Sequence, residues 1–241
     1  MRKCNLFVVL AIGFIFFACS HPPVSERQQP LAGVKQSVLP IFVTGHSASE
    51  RWGFTGKSFK QRNIADFRAC SAVYVAPNLL ATSSSAFGRE QGGVTMYDPD
   101  SIAILSGDKW LYSSDVPFFD PETGLVLIRT YAVGAPLYMR DGPLDSAETL
   151  KRVGYTFSLA PSGILAIPSW DAGQAIASYA VESLLSIRMF SVRTEVHIGN
   201  CGAAIIGADG RLVGIMHKRI GDDEVSVIGP ATIHAAIKSV K

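Results

Sequence analysis

The sequence predicts an all-β protein, built as two packed barrels or as one large sandwich, with a single helix at its C-terminus. Short stretches rich in β-branched and aromatic residues recur along the chain, separated by Gly, Pro, Asp and Asn. About twelve such strands fit into roughly 200 residues, which is the density of a two-barrel or sandwich fold. Only the last segment, 231–240, has the residue spacing of a helix.

The elements follow in chain order after Ser37. The predicted strands are 38–43, 71–75, 101–105, 125–130, 149–155, 164–167, 184–192 and 203–206. The pair Asp209-Gly210 predicts a hairpin turn after the last of them, because these residues tolerate positive φ. Pro230 suits the first position of the terminal helix, whose Ile233 and Ile237 fall on one face.

Composition limits the class of protein. The chain has 241 residues, of which 48% are hydrophobic and 17% charged, with a formal net charge of +2. These are values of a globular chain that can bury a core without disulfides. The near-neutral charge gives no electrostatic footprint for nucleic acid. The four cysteines show no close pairs, so no zinc site is predicted and no metal or cofactor is expected.

The first residues have the features of an export signal. Arg2 and Lys3 precede an apolar run over 6–18, which is shorter than the roughly 20 residues that span a bilayer. The run ends in a small residue and Cys19, similar to the lipobox of bacterial lipoproteins, although two phenylalanines replace its usual residues. A lipid anchor at Cys19 is favoured over plain secretion and over a retained anchor. In bacterial lipoproteins, an aspartate after the lipidated cysteine is a signal for retention in the inner membrane. Because Ser20 stands at that position, the resemblance implies an outer-membrane or periplasm-facing location in a bacterial envelope.

Three short segments resemble the trypsin-like (chymotrypsin-fold) serine proteases, bacterial type, in the family's order. The segment 199–203 (GNCGA) resembles the nucleophile loop, 70–78 the strand that leads to the histidine, and 123–129 the strand that opens with the aspartate. This likeness implies two packed six-stranded antiparallel β-barrels with a C-terminal α-helix. The expected organisation is a signal peptide over 1–19, a polar tether over 20–36 and a trypsin-like domain over 37–241. Within that domain the first barrel would cover about 37–135 and the second about 136–241.

The resemblance also implies roles for individual residues. The nucleophile position is Cys201, the position of the histidine base is Ser85, and that of the orienting aspartate is Gly124. The amides of Gly199 and Cys201 would form the oxyanion hole. A serine cannot serve as a base near neutral pH and glycine has no side chain, so the triad is expected to be degenerate.

Four further residues carry open alternatives. His217 either replaces the missing base or fills the volume left by the lost triad side chains. Glu195 is either a pocket acid or an exposed loop carboxylate, and His197 is a weaker candidate for a base. Cys70 lacks the family's usual disulfide partner, so it either pairs with Cys201 or stays a separate buried thiol.

Two classes of function remain open. The favoured one is a catalytically inactive pseudoprotease of the cell envelope, a monomer that holds a peptide or an envelope protein in its cleft and is held on the membrane through Cys19. The alternative is a divergent peptidase or acyl-transfer hydrolase with Cys201 as its nucleophile. No nucleic-acid partner is expected.

Overall fold

The computed structural model of the protein describes residues 31–52, 58–87, 97–159 and 166–240. The predicted signal peptide, the lipidation site at Cys19 and the tether up to residue 30 lie outside these ranges. None of the helices in this part of the chain has both the length and the apolar character needed to cross a membrane.

The described residues form two helices and thirteen strands. In chain order these are α1 (Leu31–Ser37), β1 (Val38–Trp52), β2 (Ser58–Ala76), β3 (Leu79–Ser83), β4 (Tyr97–Ser106), β5 (Lys109–Ser113), β6 (Phe118–Phe119), β7 (Leu125–Arg129), β8 (Thr149–Leu159), β9 (Ala166–Ala177), β10 (Met189–Thr194), β11 (Ala204–Ile206), β12 (Leu212–Arg219), β13 (Glu224–Ile228) and α2 (Pro230–Ser239). A short 3-10 helix, Ser84–Ala86, follows β3. The predicted all-β architecture with a C-terminal helix is confirmed.

The first lobe is an antiparallel sheet of seven strands in the order β5-β4-β1-β2-β3-β7-β6. It forms a half-barrel and is not closed among the described residues, in contrast to the closed six-stranded barrel that we predicted for this lobe. The edge strand β6 has only two residues, Phe118–Phe119, which pair with β7. An edge of that length cannot supply the ladder that closure needs. The strand β3, which lies between β2 and β7, is buried over its whole length.

The second lobe is a closed barrel in the order β10-β13-β12-β11-β8-β9. The predicted turn at Asp209-Gly210 is confirmed, because it joins β11 to β12 and Gly210 has a φ of +79°. The predicted strand 184–192 was placed too early, since β10 begins only at Met189. Leu184 is fully buried without belonging to a strand, so the apolar character of this stretch reflects packing of a turn.

Both helices pack on a core that the two lobes share. Val34 of α1 and Ile233 of α2 are fully buried in one apolar cluster with Val73 of the first lobe and Ala204 of the second. The face predicted for the terminal helix is therefore confirmed. The tether that we expected over 20–36 ends earlier than predicted, because Leu31–Ser37 is helical and Val34 belongs to the core.

We expect Val34→Ala to lower the free energy of unfolding by about 1–3 kcal/mol, since it removes fully buried apolar atoms and leaves a cavity. Gln36→Ala is the matched control, because Gln36 is exposed on the same helix and such changes stay within about 0.5 kcal/mol. Urea unfolding measures both. Equal stability of the two variants would contradict the packing of α1 on the core.

Candidate active site

The loop that carries Cys201 lies between β10 and β11 and bends at two glycines. Gly199 and Gly202 have φ values of +97° and +78°, a backbone region that L side chains rarely adopt. A Cβ at Gly202 would also overlap the backbone carbonyl of Ser71 in β2. The loop can therefore pack directly against the first lobe only because position 202 lacks a side chain.

Ser71 makes four hydrogen bonds, and two of them join that loop to the first lobe. Its amide donates to the carbonyl of Cys201 (2.9 Å) and its hydroxyl donates to the carbonyl of Gly199 (3.2 Å). The hydroxyl also accepts from the Tyr155 amide of β8 (2.9 Å), and the Ser71 carbonyl accepts from the hydroxyl of Thr82 in β3 (2.7 Å). Ser71 is fully buried, so these bonds fix the position of the Cys201 loop relative to β2.

A buried ionic cluster holds the same loop from the second lobe. The guanidinium of Arg152, only 1% exposed, pairs with the carboxylate of Asp171 and donates to Oδ1 of Asn200 (2.5 Å). The side-chain nitrogen of Asn200 donates to Asp171 (3.0 Å), and its Oδ1 accepts from the His197 backbone amide (2.7 Å). A Cβ at Gly173 would lie 2.5 Å from Nη2 of Arg152, so glycine at this position leaves room for the guanidinium.

The charges of this cluster shift the pKa values of its members. Burial acts to raise the pKa of Asp171, but hydrogen bonds from Arg152, Asn200 and His197 hold it below its ordinary value. The imidazole of His197 lies between two carboxylates, with Nδ1 at 3.3 Å from Asp171 and Nε2 at 3.1 Å from Glu195. These contacts raise the pKa of His197, the one with Asp171 more than the one with Glu195.

A second polar group lies on the other side of Cys201, where β3 meets β12. The hydroxyl of Ser83 is 2.8 Å from Nδ1 of His217 and 3.0 Å from the hydroxyl of Ser85. The hydroxyls of Ser83 and Ser85 both lie 3.2 Å from the carbonyl of His217. Because a hydroxyl has only one proton, Ser83 donates to one of these acceptors at a time while it accepts from the Ser85 amide (3.1 Å).

The ring of His217 occupies the space beside Gly124. A Cβ built at Gly124 would overlap the imidazole and would lie 2.7 Å from each ring nitrogen. Gly124 also has a φ of +74°, and its carbonyl accepts from the Ser84 amide at 2.7 Å. No L side chain fits at position 124 while the imidazole of His217 stays where it is.

The thiol of Cys201 is partly buried between these two groups. Burial raises its pKa above the ordinary value, and three weaker influences lower it again: a hydrogen bond from Ser85, one from its own amide, and the charge of Arg68. Burial raises the pKa of Cys70 further, and the neighbouring Cys201 adds to that increase. Both cysteines are free thiols in the structure.

The structure brings together four of the residues singled out from the sequence, namely Ser85, Gly124, Cys201 and His217. Glu195 instead has a side chain that is 80% exposed, beside His197. Among the described residues, no cluster of His, Cys, Asp and Glu could hold a metal ion.

Sequence reasoning missed Ser71, Ser83, Arg152 and Asp171. The available signal for Arg152 was its place in a predicted strand two residues after Leu150, because alternate strand residues share a face and Leu150 is fully buried. Its carboxylate partner carried no such signal, since Asp171 approaches Arg152 only through the pairing of β8 with β9.

Comparison with known proteins shows the fold. No protein-family model and no curated protein matches the chain. Among solved structures, the Rv3671c protease of M. tuberculosis in its active form has a TM-score of 0.61 and 14% identity, with 87% of this chain and 83% of that chain covered. A mutant of the same protein in an inactive form has a TM-score of 0.57 and 14% identity, covering 90% and 93%. The protein therefore has the double-barrel fold of trypsin-like proteases.

We expect Asp171→Asn to lower the free energy of unfolding by about 3–5 kcal/mol, because it leaves the buried Arg152 charge without its counter-ion. The control is Glu122→Gln. Its ion pair with Arg188 is exposed, with Glu122 at 75%, so the loss should stay below about 1 kcal/mol. Urea unfolding of both variants measures the difference. Similar small losses would show that Asp171 does not compensate Arg152.

His197 should make stability depend on pH. Its folded pKa is raised, so its protonation stabilises the fold fully below the unfolded value of about 6.5 and is lost as pH rises through the folded pKa. Asp171, with its lowered pKa, remains ionised throughout this range. We expect the stability difference between wild type and His197→Gln to be largest near pH 6 and to shrink towards alkaline pH. A difference that is constant from pH 5.5 to 9 would contradict this assignment.

Proposed function

We propose that this protein is an exported, trypsin-fold pseudoprotease that binds a peptide or an envelope protein in its cleft without hydrolysing it. The observation that carries the proposal is the imidazole of His217 in the space beside Gly124. In the active enzymes that the sequence resembles, the carboxylate of the orienting aspartate would project from this position.

The groups around Cys201 support the loss of catalysis. The thiol is acted on by Ser85, by its own amide and by Arg68, none of which accepts a proton near neutral pH. With a pKa above its ordinary value the thiol stays protonated there, and the thiolate is the nucleophilic form. Amide hydrolysis also needs a proton for the leaving amine, which these groups do not deliver.

The backbone near His217 supports binding of an extended peptide. The amides of Lys218 and Ile220 point towards β13, where they donate to the Ser226 hydroxyl (3.4 Å) and the Glu224 carbonyl (2.9 Å). Backbone groups alternate along a strand, so those of Arg219 point to the opposite edge. On that edge the backbone hydrogen bonds to the Cys201 loop continue to Met216, which bonds to Gly202 and Ala203. A peptide could add to this edge beyond Met216 as a short strand.

Localisation and partners rest on the sequence features. The apolar run over 6–18 and the cysteine that follows it favour export and a lipid anchor at Cys19 in a bacterial envelope. A monomer held in this way would present its cleft to peptides or proteins of the envelope. The amides of Gly199 and Cys201 would contact a ligand carbonyl placed over the thiol.

A second candidate function is a divergent peptidase or acyl-transfer hydrolase. It is favoured by the hydrogen-bonded series His217–Ser83–Ser85, in which the hydroxyl of Ser85 reaches the Cys201 thiol. A peptidyl thiol-directed inhibitor separates the two functions. Labelling of Cys201 that is fast at neutral pH and drops in His217→Gln supports the hydrolase, whereas labelling at the rate of a free thiol with a raised pKa supports the binder.

The wild type should not cleave casein or a peptide library, because the hydroxyl of Ser85, the Cys201 amide and the charge of Arg68, which act on the thiol, do not accept a proton near neutral pH. Cys201→Ala is the matched control, and any background cleavage should be equal in both proteins. The same Cys201→Ala protein should retain ligands from an envelope extract in a pull-down. Cleavage by the wild type that Cys201→Ala abolishes would overturn the pseudoprotease proposal.

Restoring the triad needs more than the three lost residues. Ser85→His, Gly124→Asp and Cys201→Ser together should stay inactive and lose about 2–4 kcal/mol of stability, because an aspartate at position 124 would be strained by the positive φ and would overlap His217. Adding His217→Ser removes that overlap, so we expect it to recover part of the stability and to permit weak peptide cleavage. If the triple variant is as stable as the quadruple one, the imidazole does not block position 124.

A further inference from the structure

Cys70 and Cys201 approach each other where the two lobes meet. The amide of Ser71, the residue after Cys70, donates to the carbonyl of Cys201 at 2.9 Å. Standard backbone geometry adds about 2.4 Å at each end of this bond, so the two cysteine Cα atoms are at most about 8 Å apart. Disulfides join Cα atoms separated by about 4.4–6.8 Å. The backbone connection therefore brings the two cysteines into or near the range of a disulfide.

Their side chains also converge on one region. Cys70 is part of the buried apolar cluster of the first lobe, and Cys201 packs against the same cluster from the second lobe. The charge of Arg68 acts on both thiols, and Cys201 acts on Cys70. Both side chains thus contact the same apolar cluster, close to the hydrogen bond that joins their backbones.

The two thiols differ in access to solvent. Cys70 is 1% exposed, whereas Cys201 is partly exposed. A reagent from solution therefore meets Cys201 first and reaches Cys70 only through it. In thiol–disulfide exchange, one thiol attacks the donor and a second thiol then resolves the mixed disulfide. The difference in access assigns the first role to Cys201 and the second to Cys70.

We propose that Cys70 and Cys201 are an oxidisable pair, which a disulfide donor converts into a disulfide between the two lobes. The sulfur of Cys201, after loss of its proton, attacks one sulfur of the donor and releases the other as a thiol. Cys70 loses its proton and attacks Cys201 in this mixed disulfide, which releases the second donor thiol. The two protein thiols lose two protons and two electrons, and the donor disulfide is reduced to two thiols.

This disulfide would change the site and the stability of the fold. It would remove the thiol from the cleft, and it would close a loop of 132 residues, counted from 70 to 201 inclusive. A loop of that length stabilises mainly by restricting the unfolded chain, so the oxidised protein should melt about 10 °C higher than the reduced one. The proposal is independent of whether the cleft binds or hydrolyses peptides.

The test uses the full chain, incubated with oxidised glutathione at an alkaline pH at which thiols with raised pKa values ionise, then alkylated and digested with trypsin. Cys70 and Cys201 fall in separate tryptic peptides, 69–89 and 194–211, and Cys4 and Cys19 fall in a third, 4–27. We expect the peptides 69–89 and 194–211 to appear joined, with a higher melting temperature that returns to its original value after reduction. A glutathione adduct that persists on Cys201 of the wild type, or two thiols that both stay alkylable, would overturn the pair.

Two variants give matched controls. In Cys70→Ala, Cys201 should keep its glutathione, because no second thiol resolves the adduct. In Cys201→Ala, Cys70 should remain unmodified, and a glutathione adduct on it would contradict the proposed order of reaction. If Cys70→Ala does not fold, the peptide map of the wild type and the modification state of Cys70 in Cys201→Ala still show whether the two cysteines form an oxidisable pair. Peptidase activity of the reduced protein would refute the proposed binding function and leave this result unchanged.

Discussion

The buried charge of Arg152 is the constraint on which the geometry of the site depends. A guanidinium that is 1% exposed is tolerated only with a counter-ion, since an uncompensated buried ion costs several kcal/mol. Asp171 supplies the charge, and Asn200 supplies an amide that bonds to both partners. Because Asn200 precedes Cys201, the same contacts that compensate the charge also fix the Cys201 loop. The free energy of folding therefore maintains the geometry of this loop, whether or not the site catalyses a reaction.

The space beside Gly124 is filled in a way that satisfies polar groups. A glycine at this position would by itself leave a cavity lined with polar backbone. Here the His217 ring fills that space, and Ser83 and Ser85 bond to its Nδ1 and its carbonyl. Filling a cavity and pairing buried polar atoms each contribute to stability. The residues at 85, 124 and 217 therefore form one mutually dependent packing unit.

The sequence was sufficient for the features that depend on local pattern. The alternation of apolar residues predicted most strands, the Asp209-Gly210 pair predicted one hairpin, and Pro230 predicted the start of the terminal helix. Three short motifs indicated residues that lie close together in the folded site. Features that depend on long-range packing were not predictable. Leu31–Ser37 is a helix of seven residues without an acidic first turn, and it is stabilised by the burial of Val34. The partner of Arg152 is set by the register of β8 and β9, which no single segment encodes.

The site also depends on how the two lobes pack, because each lobe supplies part of it. Cys201, His217 and Asn200 come from the second lobe, while Ser71, Ser83 and Ser85 come from the first. Every hydrogen bond that Ser71 makes to the Cys201 loop crosses this boundary. A ligand that bridges the lobes, or a covalent bond between them, would therefore act on the same contacts that position the thiol. Under the two proposals above, occupancy of the cleft, the chemical state of Cys201 and the stability of the fold would be thermodynamically linked.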